Sequence, residues 1–345
     1  MEKRGEMTRV LMPIAMKETA SLPAGFDALY YAHRSPSFFE RVKHKLSKNK
    51  PDVFKYKIIV KNRLELKDVE ALWLSAATVL SQAETKHFLE HMTALQWAYS
   101  QRTGIDHLAL SSFQNRGIKV STTGDLVAAW VAQMNLACML SDSKMLPTHL
   151  IKQRAFRSEP SFCKDISDLR VAIVGTGNIG NQTAAMCSAL GMKVIGVSKH
   201  RQELDLGGTD YDEVYDVNDI DTVLPSIDYL ILTLPLTEQT KGFIDKAKLA
   251  KLSETACLIN LARPQLVDEN ALLLALKSNQ LATAYVSGLQ NVSRVQRILA
   301  NRLPNLLITH YSDANLRKKH RVAFQQFCSG LINLTEGREI ENRIV

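Results

Sequence analysis

The sequence predicts an α/β protein of two domains, each built on a largely parallel sheet. Three observations carry that expectation: the length, an alternation of short β-rich runs with helix-compatible stretches, and one glycine-rich turn leading from a strand into a helix. At 345 residues and 46% hydrophobic the chain has ample apolar material for folding, and roughly 100 to 200 residues per domain points to two. That composition excludes a fibrous or disordered chain.

The first β-rich runs are Arg9 to Ile14, Ala28 to Ala32, Thr78 to Ser81, Leu95 to Ser100 and Ile118 to Ser121, with polar or helix-compatible stretches between several of them. A long apolar helix is expected at Leu126 to Leu140. The polar segment Ser141 to Asp168, punctuated by Pro147 and Pro160, reads as a connection between domains. A second series follows: strand Arg170 to Val174, helix Ile179 to Leu190, then strands Lys193 to Val197, Tyr229 to Thr233, Cys257 to Asn260, Ala284 to Gly288 and Leu306 to Thr309. Asn315 to Leu334 is expected to be a last helix that folds back onto the first domain.

Composition narrows the function classes. The five cysteines are scattered, odd in number and lack the paired spacing of metal sites, which fits a reducing cytosol and no structural metal. Met1 to Met16 fits a first strand better than a signal peptide, because its apolar run is broken by Pro13. The longest apolar stretch, Val127 to Leu140, contains Gln133 and Asn135 and falls short of the roughly 20 residues of a bilayer span. No membrane partner is expected. The net charge of +8 is dispersed, with dense clusters only at Lys43 to Lys50 and Arg317 to Arg321, so a solvated surface is favoured over a nucleic-acid partner.

The strongest local signal is the glycine turn. Val171 to Val174 is an apolar run that leads into Gly175, Gly177 and Gly180 and then into a helical pattern beginning with Asn178 and Ile179. In a dinucleotide-binding turn the first glycine permits the tight bend, the second lets backbone approach a pyrophosphate, and the third lets helix and strand pack closely. The pyrophosphate lies at the helix start, where backbone N–H groups and the helix dipole favour an anion. At the end of the second strand an NAD site presents an acid to the ribose hydroxyl, whereas this chain has Ser198, Lys199, His200 and Arg201. A hydroxyl and basic side chains suit a 2′-phosphate, so NADP(H) is expected over NAD(H). A solvated loop there would leave the chain indifferent between the two.

From Leu95 to Thr309 the chain resembles the D-2-hydroxyacid dehydrogenase family, and four motifs in order carry the likeness. Leu95-Gln-Trp97 through Arg102-Thr-Gly-Ile-Asp106 looks like the family's substrate-carboxylate loop, and Gly191-Met-Lys-Val194 like the segment before its second nucleotide strand. Leu234-Pro-Leu-Thr237 through Thr240 to Asp245 looks like its hinge-side cofactor loop, and Ile259-Asn-Leu-Ala-Arg263 with Leu266 to Leu272 like the segment carrying its catalytic arginine. The resemblance implies two Rossmann-like or flavodoxin-like domains. A central NAD(P)-binding domain, residues 125–311, is inserted in a split substrate domain, residues 1–124 and 312–345. It implies cofactor contacts from Leu234, Pro235, Thr240, Leu261 and Ser287. It also implies a substrate carboxylate held by the backbone of Gly104 and Ile105 with Arg102 as an extra cation, and a carbonyl polarised by Arg263. A surface ion pair is the ordinary alternative for that arginine.

The chain departs from the family where the family pairs a His with a Glu. His310 falls on a proline position, Tyr311 on the histidine, Ser287 on the nicotinamide-side Asp and Gln290 on the Glu, while Pro264 replaces the glycine after the arginine and adds to the departure. Three arrangements remain open: Tyr311 donates the proton, positioned by Gln290; His310 donates it; or the site binds a dinucleotide without turning it over. The resulting expectation is an oxidoreductase that reduces a small 2-oxo acid, acting as a cytoplasmic homodimer with the helix around Trp130 as a candidate contact or simply core. The alternative is a catalytically silent dinucleotide-binding sensor or scaffold derived from that family.

Overall fold

The structure is a computed structural model, and it describes residues 8–13, 22, 26–34, 57–59, 67–74, 82–101, 109–199, 209–309 and 316–344. In chain order the strands are β1 (Thr8–Pro13), β2 (Phe26–Arg34), β3 (Lys57–Ile59), β4 (Val69–Leu74), β5 (Trp97–Ser100) and β6 (Lys119–Thr122), then β7 (Arg170–Val174), β8 (Lys193–Ser198), β9 (Glu213–Asp216), β10 (Tyr229–Leu232), β11 (Cys257–Asn260), β12 (Thr283–Val286) and β13 (Leu306–Ile308). The main helices are α1 (Gln82–His91), α2 (Leu110–Gln114), α3 (Ala128–Ser143), α4 (Leu146–Arg154), α5 (Asn178–Ala189), α6 (Ile220–Val223), α7 (Lys246–Leu249), α8 (Glu269–Lys277), α9 (Arg294–Ala300) and α10 (Leu316–Thr335). The chain divides into two compact units, Met1–Val127 with Asn315–Val345, and Ala128–Ala314.

The first unit holds a six-stranded sheet in the order β3-β2-β1-β4-β5-β6, parallel throughout except where β2 meets β3. Alternate residues of β4 and β5 supply two cores. Leu72, Leu74 and Ala98 pack with Leu89 of α1 and Phe113 of α2, while Ala71, Trp73, Trp97 and Tyr99 pack with Ala323, Phe327 and Leu331 of α10. The C-terminal helix thus completes the first sheet's core. Trp97, at the head of the stretch likened to a substrate loop, is 1% exposed, stacks on Phe327 at 5.1 Å and donates its indole N–H to Ser121 Oγ. Next to that core Gln101 Nε2 and His320 Nδ1 lie 3.1 Å apart, and burial, with Lys319 beside it, holds the imidazole below its ordinary pKa.

The second unit holds a seven-stranded sheet, β13-β12-β11-β10-β7-β8-β9, parallel in every pairing. Its central strands are apolar over Val171–Val174, Tyr229–Leu232 and Cys257–Ile259 because both faces are covered. On one face Ala172, Val174, Leu230 and Leu258 pack with Leu272 and Leu276 of α8. On the other Val171, Ile173, Ile231 and Ile259 pack with Ala184 and Cys187 of α5 and Cys138 and Met139 of α3.

Two expectations need correction. The segment Ser141 to Asp168 is no connection between units: it lies in the second unit, forms α4, returns through the Lys164 N–H to Ser143 O bond, and buries Ile166 and Leu169. Strands β3, β4 and β9 were not expected. Val69 to Leu74 reads as helix-compatible from Glu70, Ala71 and Leu72, and pairing on both sides overrides that weak local preference. The expected strand Thr78 to Ser81 lies outside the described residues. Among the described residues no helix is long and apolar enough to cross a membrane.

A Cβ on Gly330 of α10 would stand 2.4 Å from Trp97 Cη2, and the stacked ring has nowhere to go. Gly330→Ala is therefore expected to lower stability by about 1 to 3 kcal/mol through overpacking, against a helix-propensity gain of at most about 1 kcal/mol. Chemical denaturation checks it, and an unchanged or raised midpoint would contradict this packing.

Candidate functional site

Because the strands of the second sheet run parallel, the carboxyl ends of β7, β8, β10, β11, β12 and β13 all lie along one edge. The chain leaves β7 for β8 and β9 on one side and returns to β10 on the other, so the order reverses beside β7. Open parallel sheets bind ligands at such a point.

The glycines of the turn have distinct physical reasons. Gly175 sits at φ +106 and donates its N–H to Val197 O, and a Cβ there would meet Thr233 Oγ1 at 2.8 Å. A Cβ at Gly180 would lie 2.0 Å from the Gly175 carbonyl oxygen, so only glycine lets α5 start this close to β7. At Gly177 nothing among the described residues stands within 4 Å of the Cβ position, and none of their side chains caps the helix it opens. That start, with Asn178 exposed and Ile179 half-buried, is open toward solvent, which fits a pyrophosphate lying against backbone. Behind the turn Tyr211 donates to Asn181 Oδ1, and burial pushes its phenol pKa far up.

Ser198 closes β8, is 6% exposed and accepts a hydrogen bond from Thr176 Oγ1 at 2.9 Å, while the next residue, Lys199, is exposed. From the end of β10, Thr233 Oγ1 donates to Gly175 O at 2.7 Å. Leu234 packs on the core, and Thr240 Oγ1 donates to Pro235 O at 2.7 Å and accepts from the Thr237 N–H at 2.8 Å, which closes that loop on itself.

After β11 Leu261 is buried and Arg263 half-buried. Asn260 Nδ2 and the Leu266 N–H both donate to the Arg263 carbonyl, at 2.8 and 3.1 Å, which anchors the arginine's backbone. Pro264 opens a short 3-10 turn, where a missing N–H removes no helix bond, so the glycine-to-proline change is accommodated. After β12 the Ser287 N–H donates to Asn260 O, and Ser287 Oγ is buried with no hydrogen-bond partner among the described residues. Gln290 is exposed, and its Oε1 accepts from Gln265 Nε2 at 2.5 Å.

The ends of β7, β8, β10, β11 and β12 thus lie along one sheet edge, and Gly175, Gly177, Ser198, Leu261 and Ser287 stand at or directly after those ends. Arg102, Gly104, Ile105, Arg201, His310 and Tyr311 lie outside the described residues. Sequence reasoning assigned no role to Thr176, Thr233, Asn260, Gln265 or Glu269. The one available signal was a polar residue at the end of a buried strand, as Thr233 and Asn260 are. Among the described residues no three His, Cys, Asp or Glu side chains are grouped to hold a metal.

Residues 136–312, just over half of the chain, match the family model for the D-isomer specific 2-hydroxyacid dehydrogenase NAD binding domain. The chain is 32% identical over 204 residues to glyoxylate/hydroxypyruvate reductase B of Erwinia tasmaniensis, covering 57% of this chain and 62% of that protein. It is 27% identical over 233 residues to glyoxylate reductase of Pyrococcus horikoshii, covering 64% and 66%. The matched stretch is therefore less than two thirds of either relative. Among solved structures, a D-isomer specific 2-hydroxyacid dehydrogenase from Xanthobacter autotrophicus Py2 in complex with NADPH and MES superposes with a TM-score of 0.72 at 18% identity, covering 99% of this chain and 98% of that one, a likeness of fold.

Two glycine variants separate folding from binding. Gly177→Ala is expected to keep the thermal midpoint and weaken nicotinamide dinucleotide binding at least about tenfold, roughly 1.4 kcal/mol. Gly180→Ala is expected to lower both. Calorimetric titration with melting curves checks this, and unchanged affinity in Gly177→Ala would remove the pyrophosphate from the turn.

Proposed function

The chain belongs to the D-isomer specific 2-hydroxyacid dehydrogenase family, and from that premise we propose that it is an NADP(H)-dependent oxidoreductase reducing a small 2-oxo acid to the 2-hydroxy acid. One observation carries the reading: the open helix start at Gly177 and the anchored Arg263 stand on the same carboxyl edge of one parallel sheet. We assign the nucleotide to the unit Ala128–Ala314 and substrate binding to Met1–Val127 with Asn315–Val345.

When bound, the nicotinamide supplies the hydride. The residues of the chain do the rest. The start of α5 holds the pyrophosphate, Ser198, Lys199 and Arg201 take the 2′-phosphate, and Leu234, Pro235, Thr240 and Leu261 line the dinucleotide. Ser287 supplies a hydroxyl at the nicotinamide end. Arg102 with the backbone of Gly104 and Ile105 grips the substrate carboxylate, and Arg263 draws electron density onto the carbonyl oxygen as the alkoxide develops. The proton to that oxygen comes from Tyr311 or His310, with Gln290 positioning the donor. The names of the two relatives support glyoxylate and hydroxypyruvate as first substrates to try.

The expected result is NADPH oxidation with glyoxylate, hydroxypyruvate or pyruvate, faster and with tighter cofactor binding than with NADH. Lys199→Ala and Arg201→Ala should narrow the difference between the cofactors. Arg263→Lys should cost about a hundredfold in kcat/KM, roughly 2.7 kcal/mol. Tight NADPH binding without turnover of any 2-oxo acid would instead support the silent sensor. Equal affinities for the two cofactors would remove the NADP(H) preference.

We also propose a homodimer in the cytoplasm. The helix around Trp130 turns Ala132, Asn135, Cys138 and Met139 inward, and Asn135 Nδ2 donates to Thr183 Oγ1 of α5, so much of that helix is core. The apolar surface lies next to it. Leu146, Leu150 and Ile151 of α4 are exposed, and Phe156 and Phe162 are 99% and 92% exposed, which favours coverage by a second copy. Light scattering after gel filtration is expected to give a dimer that Phe156→Ser with Phe162→Ser weakens. A monomer at all concentrations would contradict it.

A further inference from the structure

Among the described residues Glu269, in the first turn of α8, is the one buried acid, 3% exposed. Its neighbour Asp268 caps the helix in the ordinary way, accepting from the Asn270 and Ala271 N–H groups at 3.0 Å each. Glu269 does something different. Its Oε1 accepts the Gln290 N–H at 2.8 Å, and its Oε2 accepts the Asn291 N–H, both from the loop after β12. A buried carboxylate is tolerated only when hydrogen-bonded, and here two backbone donors of another loop supply the bonds.

Two further bonds join the same pair of loops. Gln265 Nε2 donates to Gln290 Oε1, and Gln296 Nε2 donates to Asn270 Oδ1. The segment from Asn260 to Asn270 therefore carries Arg263 at one end and three side chains that grip residues 290–296 further along. Ser287 and Gln290, the residues given to the nicotinamide end, sit on the gripped loop.

We propose that Glu269 is a positioning residue, whose buried carboxylate locks the loop Ser287–Asn291 to the Arg263 segment so that the nicotinamide end of the site is held as one piece. This rests on the dinucleotide reading of the sheet edge. The chemistry requires a carboxylate. An amide in its place keeps the shape but offers one acceptor and one donor group, so one of the two loop N–H groups would face another N–H.

The experiment measures binding of NADPH and of 2′-phospho-ADP-ribose, which keeps the adenosine and pyrophosphate and lacks the nicotinamide. In Glu269→Gln the NADPH dissociation constant should rise about tenfold while that for 2′-phospho-ADP-ribose stays within about twofold, and deuterium uptake at 287–291 should increase. Glu269→Asp, which retains two acceptors, should recover part of the NADPH affinity. If Glu269→Gln does not fold, Gln265→Met is measured in the same way, with the same direction and a smaller ratio expected. Both ligands weakening together, or neither, would mean that Glu269 serves stability alone and overturns the proposal. Wild-type protein that binds no NADPH overturns the dinucleotide reading and this proposal with it. Binding without turnover removes the reductase reading while leaving the Glu269 ratio to be judged on its own.

Discussion

The contact on which the rest depends is the near-touch of two glycines, Gly180 in the first turn of α5 and the carbonyl of Gly175 at the end of β7. Any side chain at Gly180 would occupy the space of that oxygen. Removing it brings the helix start directly over the strand end, and the open position at Gly177 leaves backbone N–H groups approachable from outside. An anion site made in this way uses no charged side chain. It is built from the direction of peptide dipoles and from the absence of two Cβ atoms.

The parallel sheet turns that local arrangement into a longer site. Each strand spacing of about 4.8 Å moves the next loop one step along the same edge, so the ends of β7, β10, β11 and β12 are successive supports under an elongated ligand. The supports are tied to one another. Thr233 holds the Gly175 carbonyl, Ser287 holds Asn260, Asn260 holds the carbonyl of Arg263, and Gln265 and Glu269 hold Gln290 and Asn291. Preorganisation of this kind is what positions an arginine for a developing charge, since a side chain on an untethered loop would lose that free energy to ordering.

Much of the second unit was legible in the sequence because its strands are buried on both faces and read as unbroken apolar runs, as Val171 to Val174 and Cys257 to Ile259 do. The glycine turn was legible because each glycine answers a steric requirement that no other residue meets. Strand β4 was not, since Glu70, Ala71 and Leu72 favour helix locally and only neighbours distant in sequence make them a strand. The tethers were not legible either. Gln265, Glu269 and Gln290 lie up to 25 residues apart, and nothing in their spacing says that a carboxylate and a loop backbone will meet. The polar segment 141–168 misled for a related reason: its prolines and charges mark a surface path, yet Ile166 and Leu169 return to the core.

The central claim, that one sheet edge from Gly177 to the loop after β12 receives a nicotinamide dinucleotide, is tested most directly by amide hydrogen exchange of the wild-type protein with and without NADPH. The account predicts slowed exchange concentrated at residues 177–180, 261–266 and 287–291, with little change on the strands behind them. Protection confined to other segments, or none at 177–180 under saturating NADPH, would contradict it.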